Sequence, residues 1–179
     1  MLQEQLQVLI ERSRTGDKKA FEKLVSEFQT AVFRLAFRLL CNEAEAKDIV
    51  QETFIRVWLN LDKYRMQYPF TMWIYKIACN LCYDSLRTAK HRFETMPEDF
   101  HLASSEDIEQ LVINNDLKSL IILFTGQLTP KQKLVFTLSE IEDLSIEEIE
   151  AITRLSPSKI KSNLYLAKKQ IKEKMNQIK

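Results

Sequence analysis

Apolar residues recur along this chain at steps of three and four, which is the spacing of one face of an α-helix. The first half contains four such stretches, at about residues 3–15, 17–41, 43–59 and 70–90. Each stretch has an apolar stripe on one side only, and isolated helices of this kind gain little stability from helix propensity alone. The stripes are therefore expected to pack against one another as a helical bundle.

The pattern stops at Phe93 and returns at about Ile108, where a second set of shorter helices is predicted. Their starts are expected near residues 108, 130, 146 and 157. Thr129-Pro130 and Ser156-Pro157 each combine an N-cap residue with Pro at the first helical position. Residues 145–148 (SIEE) form a capping-box pattern.

Composition and charge agree with two helical modules. The chain has only 2 Gly and 4 Pro in 179 residues, which disfavours a β-sandwich or barrel. Residues 1–92 hold 15 Lys or Arg against 11 Asp or Glu, residues 93–116 hold none against 7, and residues 117–179 hold 11 against 7. We therefore expect an all-α protein with domains at 1–92 and 108–179, joined by an acidic linker at 93–107.

Several classes of protein are disfavoured. No apolar run approaches the length of a membrane span, and the amphipathic N-terminus does not resemble a signal peptide, so a cytoplasmic protein without membrane insertion is expected. Three cysteines do not suggest a disulfide framework, and Cys79 and Cys82 are interpreted as small core residues. Because no phosphate loop, metal-ligand cluster or nucleophile–base pair is evident, we expect no enzymatic activity, no metal and no cofactor.

The last two predicted helices and the turn at residues 153–156 form a helix-turn-helix pattern. Ile160, Leu164, Ala167 and Ile171 make a buried stripe on the final helix. This stripe leaves a polar and basic face outward, and its predicted major-groove residues are Ser158, Lys159, Lys161, Ser162, Tyr165 and Lys168. Residues 139–151 hold six acids and no base, so only the final helix should face DNA. An ordinary solvated basic helix would give the same pattern.

Two N-terminal helices carry further candidate surfaces. The helix from Phe70 interleaves aromatic and basic groups on one face, as single-stranded nucleic-acid sites do. These residues are Trp73, Lys76, Asn80, Tyr83 and Arg87. Core packing explains Trp73 equally well. The preceding helix has a mixed polar and aromatic face suited to protein docking, although a solvated face laced by charge pairs explains it almost as well. Its candidates are Asp48, Gln51, Glu52, Phe54 and Trp58.

Three segments together resemble a known family. Residues 46–58 (AKDIVQETFIRVW) resemble the core-polymerase-binding helix of sigma region 2, and residues 70–87 resemble the element after it that engages −10 promoter DNA. Residues 128–138 (LTPKQKLVFTL), with 144–149 and 160–167, resemble sigma region 4. The chain is thereby identified as similar to sigma-70 family factors of the extracytoplasmic-function (ECF) type, which lack a long domain between these regions.

The resemblance implies roles for these residues. Asp48, Gln51, Glu52, Phe54 and Trp58 would dock on the coiled coil of the polymerase β′ subunit, and region 4 would touch the β flap. Trp73, Asn80 and Arg87 would lie near the −10 element, and Lys159, Lys161 and Ser162 in the −35 major groove. An anti-sigma factor is a further expected partner. The turn carries Arg154 where the family commonly has Gly, so an unusual backbone or a reshaped turn is expected there.

Two other functions fit parts of the sequence. A stand-alone helix-turn-helix regulator would use the N-terminal bundle to dimerise and would bind a palindromic duplex. A helical adaptor with no DNA role would bind another protein through the surface around Phe54 and Trp58. Replacing Lys159 and Lys161 with Glu would be harmless to the adaptor and would abolish promoter function in a sigma factor.

Overall fold

The computed structural model describes residues 3–94 and 124–177. The chain divides into two units, Met1–Cys82 and Tyr83–Lys179. In the first, α1 spans Gln3–Arg14, α2 Lys18–Leu40 and α3 Glu43–Asn60, and a 3-10 turn follows at Leu61–Lys63. Helix α4 spans Phe70–Glu94, so it begins in the first unit and continues past the boundary at Cys82. In the second, α5 spans Pro130–Phe136, a π-helical turn follows at Thr137–Ile141, and α6 and α7 span Ile146–Thr153 and Pro157–Gln177. The all-α prediction is confirmed, since every regular element of these residues is helical.

Local sequence determines where the N-terminal helices begin. The Asp17 side chain accepts a hydrogen bond from the Ala20 backbone N–H, and Asn42 accepts from the first backbone N–H groups of α3. Between α1 and α2 the chain turns through Gly16 at φ 89°, a left-handed conformation that glycine adopts without steric cost. The two caps and the glycine turn fix where α2 and α3 begin.

The core of the N-terminal unit is formed by the apolar faces of α2, α3 and α4. Its fully buried side chains include Leu24, Val32, Leu35, Leu39, Val57, Phe70 and Ile74. Each such side chain contributes about 1.5–3 kcal/mol relative to an exposed one. Cys79 and Cys82 also lie in this core, as predicted, and burial raises the pKa of Cys82 to about 12. A thiol in this environment stays protonated and packs as a small apolar group.

Two helices of the C-terminal unit begin with a capping box. Thr129 and Gln132 exchange side-chain and backbone hydrogen bonds at the start of α5, and Ser145 and Glu148 do the same at the start of α6. Pro157 is the first residue of α7. The predicted starts near 130, 146 and 157 are therefore confirmed. The core of this unit consists of Leu134, Val135, Leu138, Ile149, Ile152, Ile160 and Ala167.

Some expectations extend past the described residues. Most of the predicted linker and the helix expected near Ile108 fall within 95–123, so the domain boundaries stay predictions. Helix α4 ends at Glu94, beyond the predicted end at Lys90, so it includes the first two residues of the predicted linker. Backbone hydrogen bonds can extend a helix after its apolar stripe has ended, which periodicity alone does not reveal. No helix within 3–94 or 124–177 is both long and apolar enough to cross a membrane.

Candidate nucleic-acid and polymerase interfaces

The turn between α6 and α7 depends on a left-handed residue. Arg154 has φ 59° and ψ 20°, and its backbone N–H donates to the Glu150 carbonyl at 2.8 Å, which ends α6. The Thr153 hydroxyl donates to the Ile149 carbonyl and accepts from the Leu155 N–H. Of the two expected outcomes at Arg154, the structure shows the unusual backbone. The left-handed turn redirects the chain from α6 into α7.

Replacing Arg154 with Gly is expected to raise the free energy of unfolding of the C-terminal unit by about 1 kcal/mol, because an L side chain is strained at this φ and glycine is not. The Arg154 side chain is exposed, so little packing is lost. Urea denaturation followed by far-UV circular dichroism measures the change. Arg154→Ala is the matched control: it removes the same side chain but keeps Cβ, so it should change stability little. An equal gain in both variants would contradict this explanation.

Helix α7 presents the predicted major-groove residues outward. All of them are exposed, namely Ser158, Lys159, Lys161, Ser162, Tyr165 and Lys168. Ile160 and Ala167 on the opposite side are fully buried. The predicted buried stripe is confirmed at Ile160 and Ala167, whereas Leu164 and Ile171 are only partly buried, and the six candidates are all exposed.

Lys168 differs from the other candidates because its ammonium contacts Glu140, with Nζ and Oε2 2.9 Å apart. The hydrogen bond from Lys168 holds the pKa of the Glu140 carboxyl below its usual value, so this carboxylate stays ionised at neutral pH. Glu140 thereby offsets part of the positive charge that Lys168 would offer to a phosphate. Lys159 and Lys161, nearer the start of α7, are the stronger candidates for DNA.

The five candidates of α4 recur at three- and four-residue steps along one continuous helix. Asn80 and Arg87 are exposed, whereas Trp73, Lys76 and Tyr83 are partly buried. Arg87 lies 3.8 Å from Asp84 across one helical turn, a solvent-exposed pair that contributes little stability. Asn80 therefore offers an exposed amide between two aromatic residues, Trp73 and Tyr83.

Trp73 packs against other aromatic rings and also remains partly exposed at the surface. Its ring lies 5.7 Å from that of Phe70 and 5.4 Å from that of Tyr64, centroid to centroid. Tyr64 lies in the loop at 64–69, ahead of α4, where Met66 and Tyr68 are exposed. The family resemblance implies that this loop helps to select the −10 base, although Tyr64 and Tyr68 are not among the predicted site residues. One signal for these two residues is present in the sequence. The loop has an aromatic residue near each end and precedes a helix that is a candidate for binding nucleic acid.

The candidate docking residues of α3 differ in exposure: some lie at the surface and one lies in the core. Asp48 and Gln51 are exposed, and Glu52 pairs with Arg56 at 2.7 Å along the same helix. Phe54, however, is only 6% exposed. This residue therefore lies beneath the docking face and can support it, but offers a partner little surface of its own.

Phe21 of α2 explains this arrangement, because both aromatic candidates of α3 pack edge-on against its ring. The ring centroids are 6.5 Å apart for Phe54 and 4.8 Å apart for Trp58, which remains partly exposed. The strongly exposed apolar residues of α3 are instead Ile55 and Leu59, at 54% and 68%. These two are absent from the predicted docking residues, although their spacing of four residues outside the buried stripe is visible in the sequence.

Comparisons with known proteins agree with this geometry. The sigma-70 region 2 family matches residues 24–92, and the sigma-70 region 4 family matches residues 120–171. The ECF RNA polymerase sigma-E factor of Haemophilus influenzae is 30% identical, with the alignment covering 94% of this chain and 94% of that protein. The chain belongs to the ECF sigma factors. The ECF RNA polymerase sigma factor SigW of Bacillus subtilis is 27% identical over 94% of this chain and 96% of its own length.

Solved structures share the fold of this sigma factor. The structure of CnrH in complex with the cytosolic domain of CnrY has a TM-score of 0.69 at 21% identity, covering 95% of this chain and 96% of that one. The sigma factor RpoE of Bartonella quintana, crystallised with the anti-sigma factor NepR, has a TM-score of 0.62 at 19% identity, covering 88% of this chain and 98% of that one. The predicted family and fold are thus confirmed, and the protein acts in promoter-directed transcription initiation by RNA polymerase.

Proposed function

We propose that this sigma factor binds core RNA polymerase through α3, reads the −35 element with α7, and engages the −10 element with α4 as the promoter opens. The observation that carries the proposal is the exposed basic face of α7 on a helix whose other face is buried. Such a factor would act in the cytoplasm, where the polymerase and the promoters are. It would supply binding energy and base selection rather than catalysis.

In the −35 groove, the first turns of α7 would face the bases. Ser158 and Ser162 are short side chains that allow close approach to base edges. Lys159 and Lys161 are exposed and would meet phosphates on either side. The acidic residues of segment 139–151 would be repelled by DNA, which orients the unit with α7 toward the duplex.

At the −10 element, α4 would hold unpaired bases. Opening costs a few kcal/mol of unstacking, which capture of bases by stacking and hydrogen bonding would offset. The Asn80 side-chain amide can both donate to and accept from a base edge. Lys76 and Arg87 would follow the phosphates, and the partly exposed ring of Trp73 would provide a stacking surface.

Docking on polymerase would combine the polar and apolar parts of α3. Asp48 and Gln51 would form the polar edge, and Ile55 and Leu59 would supply the apolar contact, with the partly exposed Trp58 beside them. The partner would be the β′ coiled coil, while the C-terminal unit would touch the β flap. An anti-sigma factor would inhibit the protein by covering one of these surfaces.

The docking surface can be tested with two matched apolar residues. Ile55→Glu places a charge in the proposed contact, so it should weaken binding to core polymerase by about tenfold. Val8→Glu is the control, because Val8 of α1 is 56% exposed against 54% for Ile55 but lies outside the proposed surface. Binding is measured by fluorescence anisotropy with labelled sigma factor and sigma-free core polymerase. Equal affinities of the two variants would contradict the role of α3.

A further inference from the structure

The loop at residues 64–69 is tied to α1 by one arginine. Arg14 Nε donates to the Leu61 carbonyl at 3.1 Å, and one of its terminal nitrogens donates to the Tyr64 carbonyl. The other terminal nitrogen pairs with Glu11 at 2.6 Å. The side chain of Arg14 is 23% exposed, whereas that of Arg12, on the same helix, is 59% exposed. Arg14 therefore lies against the point where the chain leaves α3.

Tyr64 extends this attachment across the loop. Its hydroxyl donates to the Tyr68 carbonyl at 2.8 Å, and its ring packs edge-on against Phe70 at 5.0 Å. The Arg14 guanidinium carbon lies 6.0 Å from the centre of the same ring. Burial raises the pKa of Tyr64 above its usual value, so the hydroxyl stays protonated and keeps donating at neutral pH. Both ends of the loop are therefore held through Tyr64.

The exposed side chains of the loop include two large apolar ones, Met66 and Tyr68. Tyr68 is attached through its own carbonyl, which accepts the hydroxyl bond from Tyr64. An aromatic ring and a flexible thioether, exposed on the loop that leads directly into α4, suit contact with an unpaired base. The orientation of these side chains depends on the backbone of the loop, and hence on the groups that hold its carbonyl oxygens.

We infer that Arg14 is a positioning residue for −10 recognition: it fixes the loop at 64–69 and thereby sets which base this sigma factor accepts there. The inference rests on the proposed function, which places α4 at the −10 element. Arginine suits this role because its planar fork can donate to two carbonyl oxygens at once, whereas a lysine ammonium lacks that geometry. Arg65 also donates to the Tyr64 carbonyl, at 3.3 Å, but it is exposed and belongs to the loop itself.

The test compares variants that loosen the loop with one that does not. Arg14→Ala removes the bonds to both carbonyls, and Tyr64→Phe removes only the bond to Tyr68 while keeping the ring contacts. Arg12→Ala is the control, because Arg12 pairs with Asp17 on the solvent side of α1. Each variant is assembled with core polymerase at saturating concentration, below its unfolding temperature. Transcription is then sequenced from promoter libraries randomised at the −10 or the −35 element.

Arg14→Ala and Tyr64→Phe should change base preference at the same −10 position by about tenfold, within the usual cost of one mismatched base pair. Arg14→Lys should fall between Arg14→Ala and the unmodified protein, and Arg12→Ala should match the unmodified protein. Preference at the −35 element should stay constant in all variants. A merely structural role would lower the thermal midpoint without changing base preference.

Three outcomes would overturn the inference. One is unchanged −10 preference in Arg14→Ala while the unmodified protein initiates normally, which would leave the proposed function intact. Another is a uniform loss at the −10 and −35 libraries, which would indicate a general folding defect. The third is absence of promoter-directed initiation by the unmodified protein, which would overturn the proposed function and this inference together.

Discussion

Replacing both Lys159 and Lys161 with Glu should reduce transcription from this sigma factor's promoters by about a hundredfold, because two contacts of roughly 1–3 kcal/mol each are lost and repulsion replaces them. Both side chains are exposed, so the domain should still fold. The loss should come from promoter binding, and affinity for core polymerase should be unchanged. Abortive transcription by the reconstituted holoenzyme at several salt concentrations measures the effect.

The salt dependence makes this prediction specific. Each phosphate contact contributes about one to the slope of log affinity against log salt, so replacing both lysines with Gln should reduce the slope by about two. Lys19→Glu with Lys23→Glu is the matched control: it makes the same charge change at two exposed positions of α2, outside the proposed DNA surface. If the two double variants behaved alike, α7 would not face DNA, and the adaptor function would become the better explanation.

Truncating Phe70 to Ala should lower the free energy of unfolding of the N-terminal unit by about 3–5 kcal/mol. Phe70 is 1% exposed and is the central ring of an aromatic cluster, at 5.5 Å from Phe28, 5.0 Å from Tyr64 and 5.7 Å from Trp73. Its loss would leave a cavity where α4 meets the loop at 64–69. The variant should therefore lose −10 function together with stability.

Tryptophan fluorescence is a suitable readout for this change, because both tryptophans, Trp58 and Trp73, lie in the N-terminal unit. The midpoint of urea denaturation gives the loss of stability. Phe33→Ala is the control: Phe33 is partly exposed and stacks on Phe37 alone among the described rings, at 6.0 Å. Its cost should be about 1 kcal/mol. A cost for Phe70→Ala no larger than that of the control would contradict the packing described for α4.

Local signals predicted much of the fold. Thr129 and Ser145 mark helix starts because an N-cap involves only residues within one turn, so the pattern can be read from the sequence. The division of α7 into a buried and a basic face follows from its periodicity in the same way. An unusual backbone or a reshaped turn is predicted at Arg154 because an arginine stands where the family commonly has glycine, and the structure shows the first of these.

Contacts between distant residues could not be predicted in this way. The burial of Phe54 depends on Phe21 of another helix, and periodicity does not reveal which aromatic residue faces that partner. Arg14 and Tyr64 are 50 residues apart, so no local pattern connects them. The pair of Lys168 with Glu140 likewise depends on how α7 packs beside the π-helical turn. The assignments of individual residues to polymerase, −10 or −35 contacts stay predictions.

We propose above that this chain directs RNA polymerase to particular promoters. The most direct measurement adds the purified protein to sigma-free core polymerase and maps transcription start sites on fragmented genomic DNA. For a sigma factor we expect discrete start sites that depend on the added protein, together with weak DNA binding by the protein alone. No association with polymerase, combined with tight binding to a palindromic duplex, would contradict the proposal and favour a stand-alone helix-turn-helix regulator.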